Sequence, residues 1–229
     1  MKTLIFTSLF CLLVSAAFSQ NLSYDIHGKF SHPITDEKLS QARYISDIIP
    51  DYPSSWIKSY ITVEISSTID GKTVVAKGVN DTLSSGQISL LNAASLGTDL
   101  MISVRYIYFN SFTNISAESQ MKYSATVVPE VQAEFPEGKE QLSQYIRENA
   151  INRISEKDSK DIDLAVVSFT VDPNGRIADA QITKTSGDPK VDKLLLKTVN
   201  GMPPWKPAEN AQGIKVGQQF ELAVGNTGC

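Results

Sequence analysis

The 229-residue chain is 41% hydrophobic and 20% charged, the composition of a globular protein and not of a disordered, collagen-like or low-complexity one. Its 21 basic and 25 acidic side chains give a net charge of −4, which leaves no positive field for a phosphate backbone and excludes nucleic acid as the expected partner. Two Cys and two His are too few for a zinc framework or a disulfide-stapled fold, so stability is expected from an ordinary apolar core, with no metal and no cofactor.

Lys2 supplies a short positive start, residues 4–18 are almost wholly apolar, and Ala17 and Ser19 put small residues at the −3 and −1 positions of a cleavage site before Gln20. The apolar run is shorter than the roughly 20 residues a spanning helix needs, so residues 1–19 read as a secretory signal peptide. Cleavage would leave 210 residues at a net charge of −5, with Cys11 lost and Cys229 the one remaining cysteine. A lone terminal Cys cannot make an internal disulfide. His27 and His32 lack the i, i+4 spacing of a helical metal site.

In chain order, residues 22–30 alternate as a strand, and Thr35-Asp36-Glu37-Lys38-Leu39 opens a capped helix running towards Ile45, stopped by Pro50 and Pro53. Residues 60–67 and 73–79 flank Asp70-Gly71, a tight-hairpin signal. Residues 82–87 start a short helix with Ile88, Leu90, Leu91 and Ala94 on its apolar face, ended by Gly97. Two further strands follow at 100–109 and 121–128, with polar residues 110–119 as a turn or loop.

The proline- and acid-containing stretch 129–136 marks a domain boundary. Beyond it, Leu142, Tyr145, Ile146, Ala150 and Ile154 recur at helical spacing. Residues 164–171 and 176–182 form a second hairpin around Asp172-Pro173-Asn174-Gly175. Val191, Leu194, Leu195, Leu196 and Val199 give a helix from Pro189 to Asn200-Gly201. Residues 202–207 are a proline-rich linker, and 214–224 a final strand. The expected class is α+β, with two small domains at 20–128 and 137–229, each a mainly antiparallel sheet with helices on one face, joined by 129–136.

The second half resembles the TonB C-terminal domain family through several ordered elements: Phe135-Pro136-Glu137-Gly138 with Leu142 and Tyr145, the hairpin from Val167 to Ile177, and Met202-Pro203-Pro204-Trp205-Lys206-Pro207-Ala208. The resemblance implies a β-β-α-β arrangement preceded by a helix. One departure is Asn152-Arg153-Ile154-Ser155, where the family usually has Tyr-Pro. The whole arrangement resembles exported TonB-domain proteins of Bacteroidota, and the first half resembles domains of the GldM gliding and secretion protein of that phylum.

An open sheet edge presents unpaired N–H and C=O groups that an extended peptide can join. The resemblance implies that 214–224 is that edge and that the partner is a short N-terminal segment of an outer-membrane transporter or another envelope protein. Ile214, Val216, Gln218, Phe220 and Leu222 would then be partner-binding residues of the edge strand, with Lys215 guarding the edge; the other reading is that this strand merely completes the core. Trp205 is either a partner-facing anchor or a ring pinned over the helix by Pro204 and Pro207.

No nucleophile elbow, phosphate loop, dinucleotide fingerprint or His-Glu-x-x-His is present, so no enzyme is expected. The acids at 156–163 alternate with Lys157 and Lys160 as a solvated loop. The expectation is an exported periplasmic binding protein without a membrane span after cleavage, in which an open edge also allows a homodimer. The alternative is an anchored TonB-type energy transducer that keeps residues 4–18 as its span, although the ten prolines are scattered and form no long periplasmic arm.

Overall fold

The computed structural model describes residues 22–69, 71–110, 112–155 and 162–225, so the expected signal peptide, both cysteines and most of the 156–163 loop lie outside the described residues. The fold is α+β, built around two mainly antiparallel sheets.

The first sheet has the order β2-β6-β5-β3-β4. Its strands are β2 (Pro33–Thr35), β3 (Ile57–Ile69), β4 (Lys72–Gly78), β5 (Asp99–Asn110) and β6 (Ile115–Val128). All neighbours are antiparallel except β2 and β6. Alternation sends Val63, Ile65, Leu100, Ile102, Val104, Ala125 and Val127 to one face, where they are buried with Leu39, Ile45, Leu90 and Leu91. Those last residues come from α1 (Asp36–Gln41), a following turn, and α2 (Ser85–Ala93), which cover that face. Ser84 and Gln87 cap α2 reciprocally, and the fully buried Gln87 side chain also donates to the Val63 carbonyl at 3.2 Å.

The loop expected at 110–119 is shorter, because β6 starts at Ile115. Its polar residues continue the ladder on the solvated face, with Gln120 opposite Arg105 and Lys122 opposite Ser103. An antiparallel sheet with one wet face tolerates this composition.

The second sheet has the order β1-β11-β7-β8. It comprises β1 (Ser23–Gly28), β7 (Ala165–Val171), β8 (Ile177–Lys184) and β11 (Gln218–Gly225). Helices α3 (Lys139–Asn149) and α4 (Pro189–Asn200) supply Leu142, Ile146, Val191, Leu195 and Val199 to its core. Asp188 caps α4, and Pro189 fills a first-turn position whose missing N–H costs no bond.

Three expectations are corrected here. The strand expected at 22–30 belongs to the second sheet: Leu22 is buried in that core, and Ser23 to Gly28 pair with Gly225 to Phe220. The stretch 129–136 is no free linker, because Val131 bridges Glu209 and Glu134 bridges Lys206. The final strand is two strands interrupted at Gly217, with β10 (Lys215–Val216) paired to β9 (Ala208–Glu209) and β11 in the main sheet.

Candidate functional site

The 172–176 turn fixes the aromatic centre of the second sheet. The Asp172 carboxylate accepts the amides of Arg176 and Asn174, both at 2.8 Å, and these bonds, the Arg176 amide foremost, hold its pKa below the ordinary carboxylate value. The turn brings Gly175 to φ +79°, and its carbonyl accepts the Trp205 amide at 2.7 Å. A Cβ on Gly175 would lie 2.0 Å from the Trp205 carbonyl oxygen, so only glycine fits this approach.

Trp205 is thereby set into a ring cluster. Its ring centroid lies 5.0 Å from Phe220, 5.5 Å from Phe135 and 6.1 Å from Phe169. Tyr145 packs on Phe135 at 5.8 Å, and burial raises its phenol pKa while its hydroxyl donates to the Thr198 carbonyl at 3.0 Å. The Trp205 ring is therefore core, 4% exposed, yet its Nε1–H is without a hydrogen-bond partner, the single such buried side-chain atom among the described residues. A buried donor left unpaired costs about 1–3 kcal/mol.

Beside this cluster opens a cavity of about 750 Å³, lined among others by Tyr24, Ile26, Phe135, Leu142, Trp205 and Phe220. Gly28 lies opposite Phe220 and carries no side chain to cover it; the Phe30 ring folds back against Gly28 at the end of β1. Tyr24 reaches across from β1 to α3, where its hydroxyl donates to the Ser143 carbonyl at 3.2 Å.

The expected edge is not an edge. β11 lies between β1 and β7, paired to β1 over 220–225 and to β7 over 218–224, so the chain's own residues 23–28 hold the position assigned to a partner strand. Phe220 and Leu222 are buried core, and Gln218 is a clamp: its Oε1 accepts the Ala133 amide at 2.7 Å and its amide group donates to Gln132. Val216 is half-buried in the small β9-β10 pair, and Ile214 is exposed on its connecting turn. Of the six expected residues, Trp205 and Phe220 meet at the cavity, and the other four do not line it.

The actual edges are β1 and β8. β8 is blunted by irregular pairing around Ser168 to Thr170 and by Asp179 at φ +53°. β1 pairs without a bulge. Because the Lys29 amide donates to the Gln219 carbonyl, the antiparallel alternation directs Asp25 and His27 to β11 and turns the N–H and C=O groups of Tyr24 and Ile26 outward, along the cavity side. Sequence reasoning found this strand but not its edge role, since alternation within 22–30 does not say which sheet it joins.

No group of three or more His, Cys, Asp or Glu among the described residues could hold a metal ion. His27 pairs with Asp25 at 3.0 Å, and His32 stacks on Tyr123 at 4.6 Å, away from one another's partners.

Residues 135–216 match the TonB C-terminal family model. That stretch is similar to TonB C-terminal domains. The matched span runs from the aromatic cluster through α3, α4 and both hairpin strands and stops at Val216, so β11 and β1, the strands that decide where the edge lies, are outside it. No curated protein and no solved structure gives a significant match. No helix of the described residues is long and apolar enough to cross a membrane.

Proposed function

We propose that this TonB-like protein is an exported cell-envelope binding protein whose second sheet captures an extended peptide segment by strand addition at the outer edge of β1. The partner class is the periplasm-facing segment of an outer-membrane transporter or another envelope protein. The observation that carries this reading is the edge of β1 itself: a regular strand with outward main-chain groups at Tyr24 and Ile26, set beside an aromatic cavity. Main-chain bonds supply affinity in this mode, and pockets for alternate side chains supply preference. Here one partner side chain enters the cavity over Trp205 and Phe220. This role for Trp205 and Phe220 works through the cavity floor, not through an edge formed by β11.

The test is capture of envelope proteins by the full chain and by its Ile26→Pro variant. Ile26 directs its amide away from β11, so proline removes an outward donor and leaves the β1-β11 ladder bonds in place. Loss of outer-membrane transporters from the captured set, with the variant still folded, is the expected result. Undiminished capture by Ile26→Pro overturns strand addition at β1.

A further inference from the structure

The far end of the β5-β6 hairpin is unusual in a different way. Phe112 is 99% exposed, Trp56 70%, Ile115 58% and Phe109 47%. They are neighbours: Asn110 pairs with Ile115, Phe109 with Ser116, and Ile57, directly after Trp56, with Tyr108. The Asn110 side chain accepts the amides of Phe112 and Thr113 at 2.9 and 3.3 Å, a local turn that presents Phe112 at the apex. Large apolar groups gathered at one exposed point mark an interaction surface.

The charges around the tip indicate which kind. Residues 52–60 and 106–117 carry a single formal charge, Lys58, in a chain that is 20% charged and has a net charge of −4. Lys58 Nζ stands 5.8 Å from the Phe109 ring centroid and 3.4 Å from Ser116 Oγ. The nearest acid along β6, Glu118, is engaged by Arg105. The local sign is thus positive on an acidic protein, complementary to an anionic surface.

The groups are also ordered along the hairpin. Phe112 and Ile115 lead. Trp56, Phe109 and Lys58 follow about two residues behind, roughly 7 Å at strand rise. Behind them come the half-buried phenols Tyr52 and Tyr60, hydroxyl to hydroxyl at 3.3 Å. Tyr, then Trp with a cation, then an apolar apex matches the sequence of environments met on entering a bilayer from water, and roughly 5–10 Å is the depth interfacial elements reach. Four large apolar side chains exposed together at one tip fit a deformable lipid surface.

We infer that the β5-β6 tip docks on an anionic phospholipid membrane surface, with Phe112 and Ile115 among the upper acyl chains and Lys58 against lipid phosphate. The test uses the full chain with large unilamellar vesicles of phosphatidylethanolamine and phosphatidylglycerol, against phosphatidylcholine vesicles, measured by co-sedimentation and by tryptophan quenching with brominated lipid. Trp205 is buried, so Trp56 reports the contact. Phe112→Ser shares every other segment of the chain, including the apolar residues 4–18. It is expected to weaken partition into the anionic vesicles by about tenfold, to abolish quenching of Trp56, and to leave the unfolding temperature unchanged. Lys58→Gln is expected to weaken binding to the anionic vesicles only. Equal partition and equal quenching of wild type and Phe112→Ser overturn the inference. So does a tip-dependent capture of a detergent-solubilised protein in the absence of any tip-dependent vesicle binding.

Discussion

Gly175→Ala tests how the aromatic centre is held. Three costs follow from the geometry. Gly175 sits at φ +79°, where an L side chain costs about 1–2 kcal/mol. The new Cβ would stand 2.0 Å from the Trp205 carbonyl oxygen, so the Trp205 backbone must withdraw by about 1 Å before contact is tolerable. That withdrawal breaks the 2.7 Å bond from the Trp205 amide to the Gly175 carbonyl, about 1 kcal/mol more. The sum is about 3 kcal/mol or more, which for a domain near 100 residues lowers the unfolding temperature by about 10 °C or more. Gly213 is the control, because it has φ +70° with nothing within 4 Å of its Cβ position. Gly213→Ala carries only the backbone cost of about 1–2 kcal/mol. The assay is thermal unfolding followed by Trp205 emission in a Trp56→Phe background. Equal losses for the two alanine variants, with unshifted Trp205 emission, would refute the idea that this close approach sets the Trp205 ring.

Three other substitutions probe separate parts. Gln87→Leu removes the reciprocal cap of α2 and leaves the Ser84 amide and Val63 carbonyl without their side-chain partners, so urea unfolding of the first sheet should show a loss of about 2–3 kcal/mol. Asp47 accepts the amides of Arg43 and Tyr44 at 2.8 and 2.9 Å, and these bonds, Arg43 first, lower its pKa from 3.8. A depressed folded-state pKa means stabilisation fully present above the unfolded value and lost as pH falls through the folded one. The gap in unfolding temperature between wild type and Asp47→Asn should therefore be constant from pH 7 to 5 and close below pH 4. His27→Pro deletes an amide directed at β11 and should destabilise β1 by about 1 kcal/mol through the lost ladder bond. Ile26→Pro keeps that bond, and amide exchange on β11 distinguishes the two.

Local signals in the sequence specified most elements. The capped start at Thr35, the helix starts within 82–87 and at Pro189, the turn residues Gly71 and Gly175, and the apolar periodicity of α3 and α4 all act where the sequence shows them. What could not be read was partnership between distant segments. Residues 23–28 alternate as any half-buried strand does, and nothing local says that they pair with 220–225 across nearly the whole chain. The expected edge at 214–224 failed for that reason: the resemblance implied an open edge there, and here β1 fills it. Gln218 was misassigned because a buried glutamine on a strand and a partner-facing one look alike until the Ala133 amide is seen to meet it. The cavity was illegible for a related reason, since it depends on Gly28, Phe135 and Trp205 arriving at one place from three segments.

Backbone amide exchange on the full chain, with and without a synthetic peptide copying the periplasm-facing N-terminal segment of an outer-membrane transporter, tests strand addition at β1 most directly. The account predicts new protection at Tyr24 and Ile26, unchanged protection at Asp25 and His27, and a shifted Trp205 indole N–H resonance. Protection appearing on β8, or exposure of Asp25 and His27 as the peptide replaces β1 on β11, would contradict it.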